Sequence, residues 1–126
     1  MNVLIDTSVW IDHFKNGNVT LVELIEADLA LYHPMVTAEL ACGTPPQPRA
    51  QTLYSISLLR PCNPASLQEV VNFIERAQPY ERGCGLVDMC LLASTMITPD
   101  AKLWTLDKEL EELAQEFEAD FRPVVN

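Results

Sequence analysis

The chain has 126 residues, 48% of them hydrophobic and 21% charged, which suits one globular domain with a core of its own. Its net charge of −10, from eight basic and eighteen acidic residues, argues against a protein that holds nucleic acid through a broad basic face. No apolar run approaches the ~20 residues of a transmembrane helix and the start lacks a basic signal region, so we expect a cytoplasmic protein without membrane contact.

The first part of the chain alternates strand-like apolar runs with helix signals. A β-branched run opens it, Thr7 or Ser8 can cap the helix that follows, and Asn16-Gly17-Asn18 provides the turn that ends this helix. In chain order, we predict a strand at Val3–Ile5, a helix from Val9, a helix around Leu21–Ile25, a strand at Leu29–Tyr32 and a short helix from Pro34 through Glu39.

The second part continues the alternation after a proline-rich break. Ser66 and Glu69 form a capping-box pattern before an amphipathic helix. In chain order, we predict a helix ending near Ser57, a closing segment Arg60–Pro64, a helix at Leu67–Ala77, a largely apolar helix at Leu86–Ile97, a strand at Lys102–Trp104, a helix from Lys108 to about Phe117 and an edge strand at Phe121–Val125.

This order of elements predicts an α/β sandwich with a mostly parallel sheet. The whole chain, residues 1–126, should form a single domain. Ligands of such folds gather at the carboxyl ends of the strands, which is where Asp6 and Asp107 follow their strands.

Four carboxylates, Asp6, Glu39, Asp88 and Asp107, interrupt or end apolar segments. Asp6 and Asp107 each precede a helix, so a capping role and a ligand role are equally open for them. Asp88 is harder to explain structurally, because a helix that is apolar all round should be buried, although the helix dipole helps an acid in the first turn. Glu39 would reach solvent after a one-turn shift. Four convergent acids would suit hard divalent metal ions and phosphate chemistry.

Other polar residues lie near these acids in the sequence. Ser8 and Thr105 could orient a metal-bound water or only cap helices, and Arg82 is a candidate phosphate contact or an ordinary exposed loop arginine. The four cysteines form no Cys-x-x-Cys pair, which favours free, buried thiols over a zinc site.

The ordered motifs of this chain resemble those of PIN-domain nucleases, and more specifically the VapC toxins of toxin–antitoxin modules. The resemblance covers nearly the whole chain and is carried by the segments Val3–Asp12, Thr37–Leu40, Gly85–Asp88, Leu91–Ser94 and Leu103–Asp107. Each motif alone is weakly specific, whereas the ordered set is strongly specific.

The resemblance implies a PIN-like three-layer α/β/α sandwich and a Mg²⁺- or Mn²⁺-dependent endoribonuclease that leaves 5′-phosphate and 3′-hydroxyl ends. The acidic positions of the family fall on Asp6, Glu39, Asp88 and Asp107, and its Ser/Thr positions fall on Ser8 and Thr105. It further implies an RNA substrate, a homodimer and a cognate antitoxin through which alone DNA would be contacted. Few basic residues flank the motifs here, which leaves the RNA-binding surface undefined.

Two other functions are compatible with part of the pattern. A catalytically inactive PIN-like module could use its acids to dock a basic partner peptide. A phosphatase of the haloacid-dehalogenase type also ends its first strand in Asp, but it needs a second Asp two residues later, where this chain has Ser8. A metal-dependent endoribonuclease is therefore the leading interpretation.

Overall fold

The computed structural model describes residues 1–124, which form helices and short parallel strands in alternation. In chain order the elements are β1 (Asn2–Ile5), α1 (Thr7–Asn16), α2 (Val19–Glu26), β2 (Ala30–Tyr32), α3 (Pro34–Ala41), α4 (Arg49–Ser57), β3 (Arg60–Pro61), α5 (Leu67–Ala77), α6 (Leu86–Met96), β4 (Ala101–Trp104) and α7 (Lys108–Glu116).

The four strands form one parallel sheet in the order β3-β2-β1-β4. The chain moves from β1 to β2 and β3 in one direction and then returns across β1 to β4. Right-handed crossovers therefore place α1–α4 on one face of the sheet and α5–α6 on the other, which gives three layers. This confirms the predicted α/β sandwich. The order reverses between β1 and β4, so the expected ligand crevice lies at the carboxyl ends of these two strands.

Local sequence signals explain where most helices begin and end. The Ser66 hydroxyl accepts from the Glu69 amide while the Glu69 carboxylate accepts from the Ser66 amide, as the capping-box pattern predicts. Gly17 ends α1 with a φ of 72°, a left-handed conformation that favours glycine. The hydrophobic cores on the two faces of the sheet meet at β1, where Val3, Leu4 and Ile5 are completely buried.

Two predictions about the strands are wrong: one strand was not expected, and one expected strand does not form at residues 121–124. Arg60–Pro61, read as part of a closing segment, is the edge strand β3, where Cys62 N donates to Tyr32 O at 3.0 Å and the missing proline N–H costs little. The predicted strand Phe121–Val125 is reduced to one bridge between Asp120 and Leu103, with no strand at residues 121–124; Val125 lies outside the described residues. Pro123 cannot donate to a ladder there.

Burial of α6 and of the cysteines also differs from expectation. The centre of α6 is buried, but Leu86 is 54% exposed at its start and Ile97 is 42% exposed just after its end, so the helix is not covered all round. All four cysteines are free, yet only Cys62 is fully buried and Cys42 is exposed. Within residues 1–124, no helix is long and apolar enough to cross a membrane.

Candidate active site

Asp6 directly follows β1, at the carboxyl end of the strand where the sheet order predicts a ligand site. Its backbone N–H donates to Trp104 O at 2.9 Å, and the residue is only 5% exposed. One carboxylate oxygen, Oδ2, accepts from the Ser8 hydroxyl at 2.6 Å and from the Thr105 hydroxyl at 2.8 Å. Within the described part of the chain, the other oxygen, Oδ1, accepts no hydrogen bond and remains available to a ligand.

The two hydroxyls that donate to Asp6 also hold the loop between β4 and α7. Ser8 Oγ accepts from the Leu106 amide at 2.9 Å, and Thr105 Oγ1 accepts from the Asp107 amide at 3.0 Å. Both hydroxyl protons are therefore committed to Asp6. This geometry favours a positioning role for Ser8 and Thr105 over the orientation of a water or simple helix capping.

Glu39 reaches the site from α3 and is held by Thr7. The prediction that Thr7 or Ser8 caps α1 is wrong, because Asp6 occupies the cap position and Thr7 is the first helical residue. The Thr7 hydroxyl donates to Glu39 Oε1 at 2.6 Å, and it thereby connects the start of α1 to α3. Glu39 is exposed, so few other contacts restrain its side chain. The motif places Thr7 beside Asp6, but only the packing of α1 on α3 brings it to Glu39.

Asp88 and Asp107 each use one oxygen in a local cap. Asp88 Oδ2 accepts from the Gly85 amide at 3.1 Å, and Asp107 Oδ1 accepts from the Leu110 amide at 3.1 Å. One oxygen of each side chain therefore has a capping role. The second oxygen of each carboxylate receives no hydrogen bond from residues 1–124.

The four acids act on one another electrostatically. Partial burial raises the pKa of Asp88, the Gly85 amide opposes this shift, and the negative charges of Asp6, Asp107 and Glu39 raise the pKa further. In the described part of the chain, carboxylate side chains form ion pairs only at Asp28, Asp100, Glu116 and Asp120. Asp6, Glu39, Asp88 and Asp107, hereafter the carboxylate cluster, therefore form no ion pair with a basic group among residues 1–124.

Cys84 lies beside this cluster, which the sequence did not indicate. Burial raises the pKa of its thiol to about 11, and the charges of Asp88 and Asp107 contribute to that shift. The thiol is therefore protonated at neutral pH and a poor nucleophile. In the sequence, the only indication that Cys84 lies near the cluster is its position four residues before Asp88.

Arg82 is engaged by an acid outside the cluster. Its guanidinium donates to Glu116 on α7, and this contact raises the pKa of Arg82. Its side chain is 33% exposed. A phosphate would therefore meet a guanidinium whose charge is already partly neutralised by Glu116.

The donor set of the cluster fits a hard divalent cation, although its side chains are not arranged as a closed cage. Among residues 1–124, no three His, Cys, Asp or Glu side chains lie close enough to ligate one ion together. Mg²⁺ retains several of its waters and needs only one or two protein carboxylates. The unengaged Oδ1 of Asp6 can supply one such ligand, and a cation would relieve the repulsion that the other acids exert on Asp88.

Comparison with known proteins agrees with the motifs. No protein-family model matches the chain. Two proteins named Ribonuclease VapC32, from the CDC 1551 / Oshkosh and ATCC 25618 / H37Rv strains of Mycobacterium tuberculosis, are each 39% identical to it over 114 residues. The alignments cover 90% of this chain and 91% of each relative. The chain belongs to the VapC family.

Membership of the VapC family confirms the resemblance seen in the sequence, including its PIN-domain fold. The VapC motifs coincide with the geometry described above, since the first and last motifs meet where the Thr105 hydroxyl donates to Asp6. Motif residues therefore converge at the carboxyl ends of β1 and β4, although 99 positions separate Asp6 from Thr105.

Proposed function

We propose that this protein is a Mg²⁺- or Mn²⁺-dependent endoribonuclease toxin whose active site is the carboxylate cluster. The observation that carries the proposal is the grouping of four acids that form no ion pair among residues 1–124, each of which keeps a carboxylate oxygen free of hydrogen bonds there. After burial, the charges of Asp6, Asp107 and Glu39 raise the pKa of Asp88, as expected for like charges close together. Such repulsion is relieved when a divalent cation binds. The names of the VapC32 relatives support ribonuclease activity.

Each acid has a defined part in this proposal. Asp6, Asp88 and Asp107 would share one or two metal ions through the oxygens that their hydrogen bonds leave open, each ion keeping several of its waters, and Glu39 would be a direct or water-mediated ligand. A bound metal would activate water for attack on the phosphodiester and stabilise the leaving oxygen. Ser8 and Thr105 fix the orientation of Asp6. Arg82 would contact an RNA phosphate after releasing Glu116.

The partners follow from the family and the charge. We propose an RNA substrate, a homodimer and a cognate antitoxin that blocks the acidic site with a basic side chain; DNA would be contacted only through that antitoxin. The net charge of −10 favours a basic inhibitor.

A cleavage assay separates this function from a catalytically inactive module that docks a basic peptide. Purified protein is incubated with RNA in Mg²⁺, in Mn²⁺ and in a chelator, and the product ends are mapped. The proposal predicts cleavage in either metal, none in chelator, and 5′-phosphate with 3′-hydroxyl ends. Binding of a basic peptide with no cleavage in any metal would favour the inactive module.

A further inference from the structure

Most basic side chains of this acidic protein are already engaged. Six of the eight contact a carboxylate, a backbone carbonyl or an aromatic ring, namely Arg49, Arg60, Arg76, Arg82, Lys102 and Arg122. The remaining two, Lys15 and Lys108, are exposed and have no ion-pair or hydrogen-bond partner within residues 1–124. They are the two basic side chains whose charged group no contact among residues 1–124 already engages.

Each lysine is associated with one member of the carboxylate cluster, Lys15 through a shared cavity and Lys108 through its place in the chain. Lys15, in the last turn of α1, lines a cavity of about 620 Å³ together with Glu39, Phe14 and Pro45. Lys108 directly follows Asp107 at the start of α7.

The sheet order places the acids associated with these lysines, Glu39 and Asp107, on opposite sides of Asp6. Glu39 follows β2 and Asp107 follows β4, and these two strands pair with β1 from opposite sides. A strand of RNA whose scissile phosphate lies over Asp6 would therefore pass one lysine on each side. A phosphate chain approaching four carboxylates is repelled, and flanking cations offset that repulsion.

We infer that Lys15 and Lys108 contact backbone phosphates on the two sides of the scissile bond. This inference rests on the proposed ribonuclease function and adds to it the surface that holds the substrate. The contacts are to phosphate, so they position RNA without reading its sequence. Neither lysine has an ion-pair partner among residues 1–124, in contrast to Arg82, which is paired with Glu116.

Salt dependence of binding measures these contacts directly. Each phosphate neutralised on a single strand contributes about 0.7 to the slope of log K against log salt. A fourfold rise in salt weakens binding by some factor in the unmodified protein. Losing one contact should make that factor about 2.6-fold smaller, and losing both should make it about sevenfold smaller.

The experiment uses the full chain with Asp88→Asn, which is expected to prevent cleavage, and a labelled unstructured oligouridylate. Lys15→Gln, Lys108→Gln and the double variant are compared by fluorescence anisotropy at low and fourfold higher salt. Arg122→Gln is the matched control, because it removes the same charge beside Met1, at the opposite end of β1 from Asp6. Circular dichroism checks that each variant folds.

Each lysine variant is expected to make the slope of log K against log salt shallower by about 0.7, whereas the control variant should keep the original slope. Slopes equal to that of the control, or no binding of the oligonucleotide at low salt, would overturn the inference. The cleavage assay is independent: failure of the unmodified protein to cut RNA overturns the ribonuclease proposal, whereas an active enzyme whose lysine variants keep the original slope overturns only these contacts.

Discussion

The Thr7 hydroxyl donates a 2.6 Å hydrogen bond to Glu39 Oε1, and it is the contact that orients the most exposed acid of the cluster. Thr7 directly follows Asp6, so two consecutive residues of the β1–α1 junction supply one carboxylate and align another. The bond leaves Glu39 Oε2 open to a ligand, and it reduces the conformational freedom that an exposed glutamate would otherwise lose on binding metal.

Replacing Thr7 by Val should weaken metal binding, because Glu39 loses its only side-chain hydrogen bond among residues 1–124. We expect the Mn²⁺ affinity of the RNA-free protein to fall roughly fivefold, which corresponds to a net hydrogen-bond contribution of about 1 kcal/mol. Isothermal titration calorimetry measures the change. Thr7→Ser keeps the hydroxyl and should restore the affinity, so equal losses in Val and Ser variants would contradict the positioning role.

Thr105→Val should destabilise the protein by about 1–3 kcal/mol, because it leaves the partly buried Asp107 amide without its acceptor and removes a donor from the buried Asp6 carboxylate. Urea unfolding with metal absent measures this loss. Thr95→Val is a matched control, since Thr95 is equally buried but donates only to the helix carbonyl of Leu91. Similar losses in both variants would argue against a special role of the Thr105 network.

Asp88 should make the metal-free protein less stable at neutral pH than at acid pH. Its folded pKa lies above the ordinary value of 3.8, so its contribution to stability is fully present below 3.8 and is lost as pH rises through the folded pKa. In chelator, Asp88→Asn should therefore be more stable than the unmodified protein at neutral pH, with a difference that vanishes towards about pH 4. Unfolding by urea across this range provides the test, and a constant difference would contradict it.

His33 should act in the opposite direction. Burial lowers its pKa from 6.5, its Nδ1 accepts from the Met35 amide at 3.0 Å, and its Nε2 is buried without a partner in the described chain. Its contribution is present above pH 6.5 and is lost as pH falls through the folded pKa. His33→Asn retains a capping side chain, so it should remove this acid sensitivity from thermal melts. An unchanged pH dependence in the variant would count against the assignment.

Local signals were sufficient to predict the alternation of elements, since caps such as Ser66 and runs such as Val3–Ile5 act within a few residues. The edge strand β3 was missed because two residues, one of them a proline, carry no periodicity. Thr7 and Cys84 were missed as neighbours of the cluster for another reason. Their proximity depends on how distant helices and loops pack, which no short window of sequence contains.

The single measurement closest to the central claim is RNA cleavage by Asp88→Asn in Mg²⁺ or Mn²⁺. Asn keeps the shape of the side chain and can still accept from the Gly85 amide, so the fold should remain intact while the charge that helps to hold the metal is lost. Asp100→Asn makes the same chemical change outside the cluster and should cleave normally. We predict that Asp88→Asn abolishes cleavage in a folded protein. Cleavage by a clean Asp88→Asn preparation at nearly the rate of the unmodified protein would contradict the assignment of the active site.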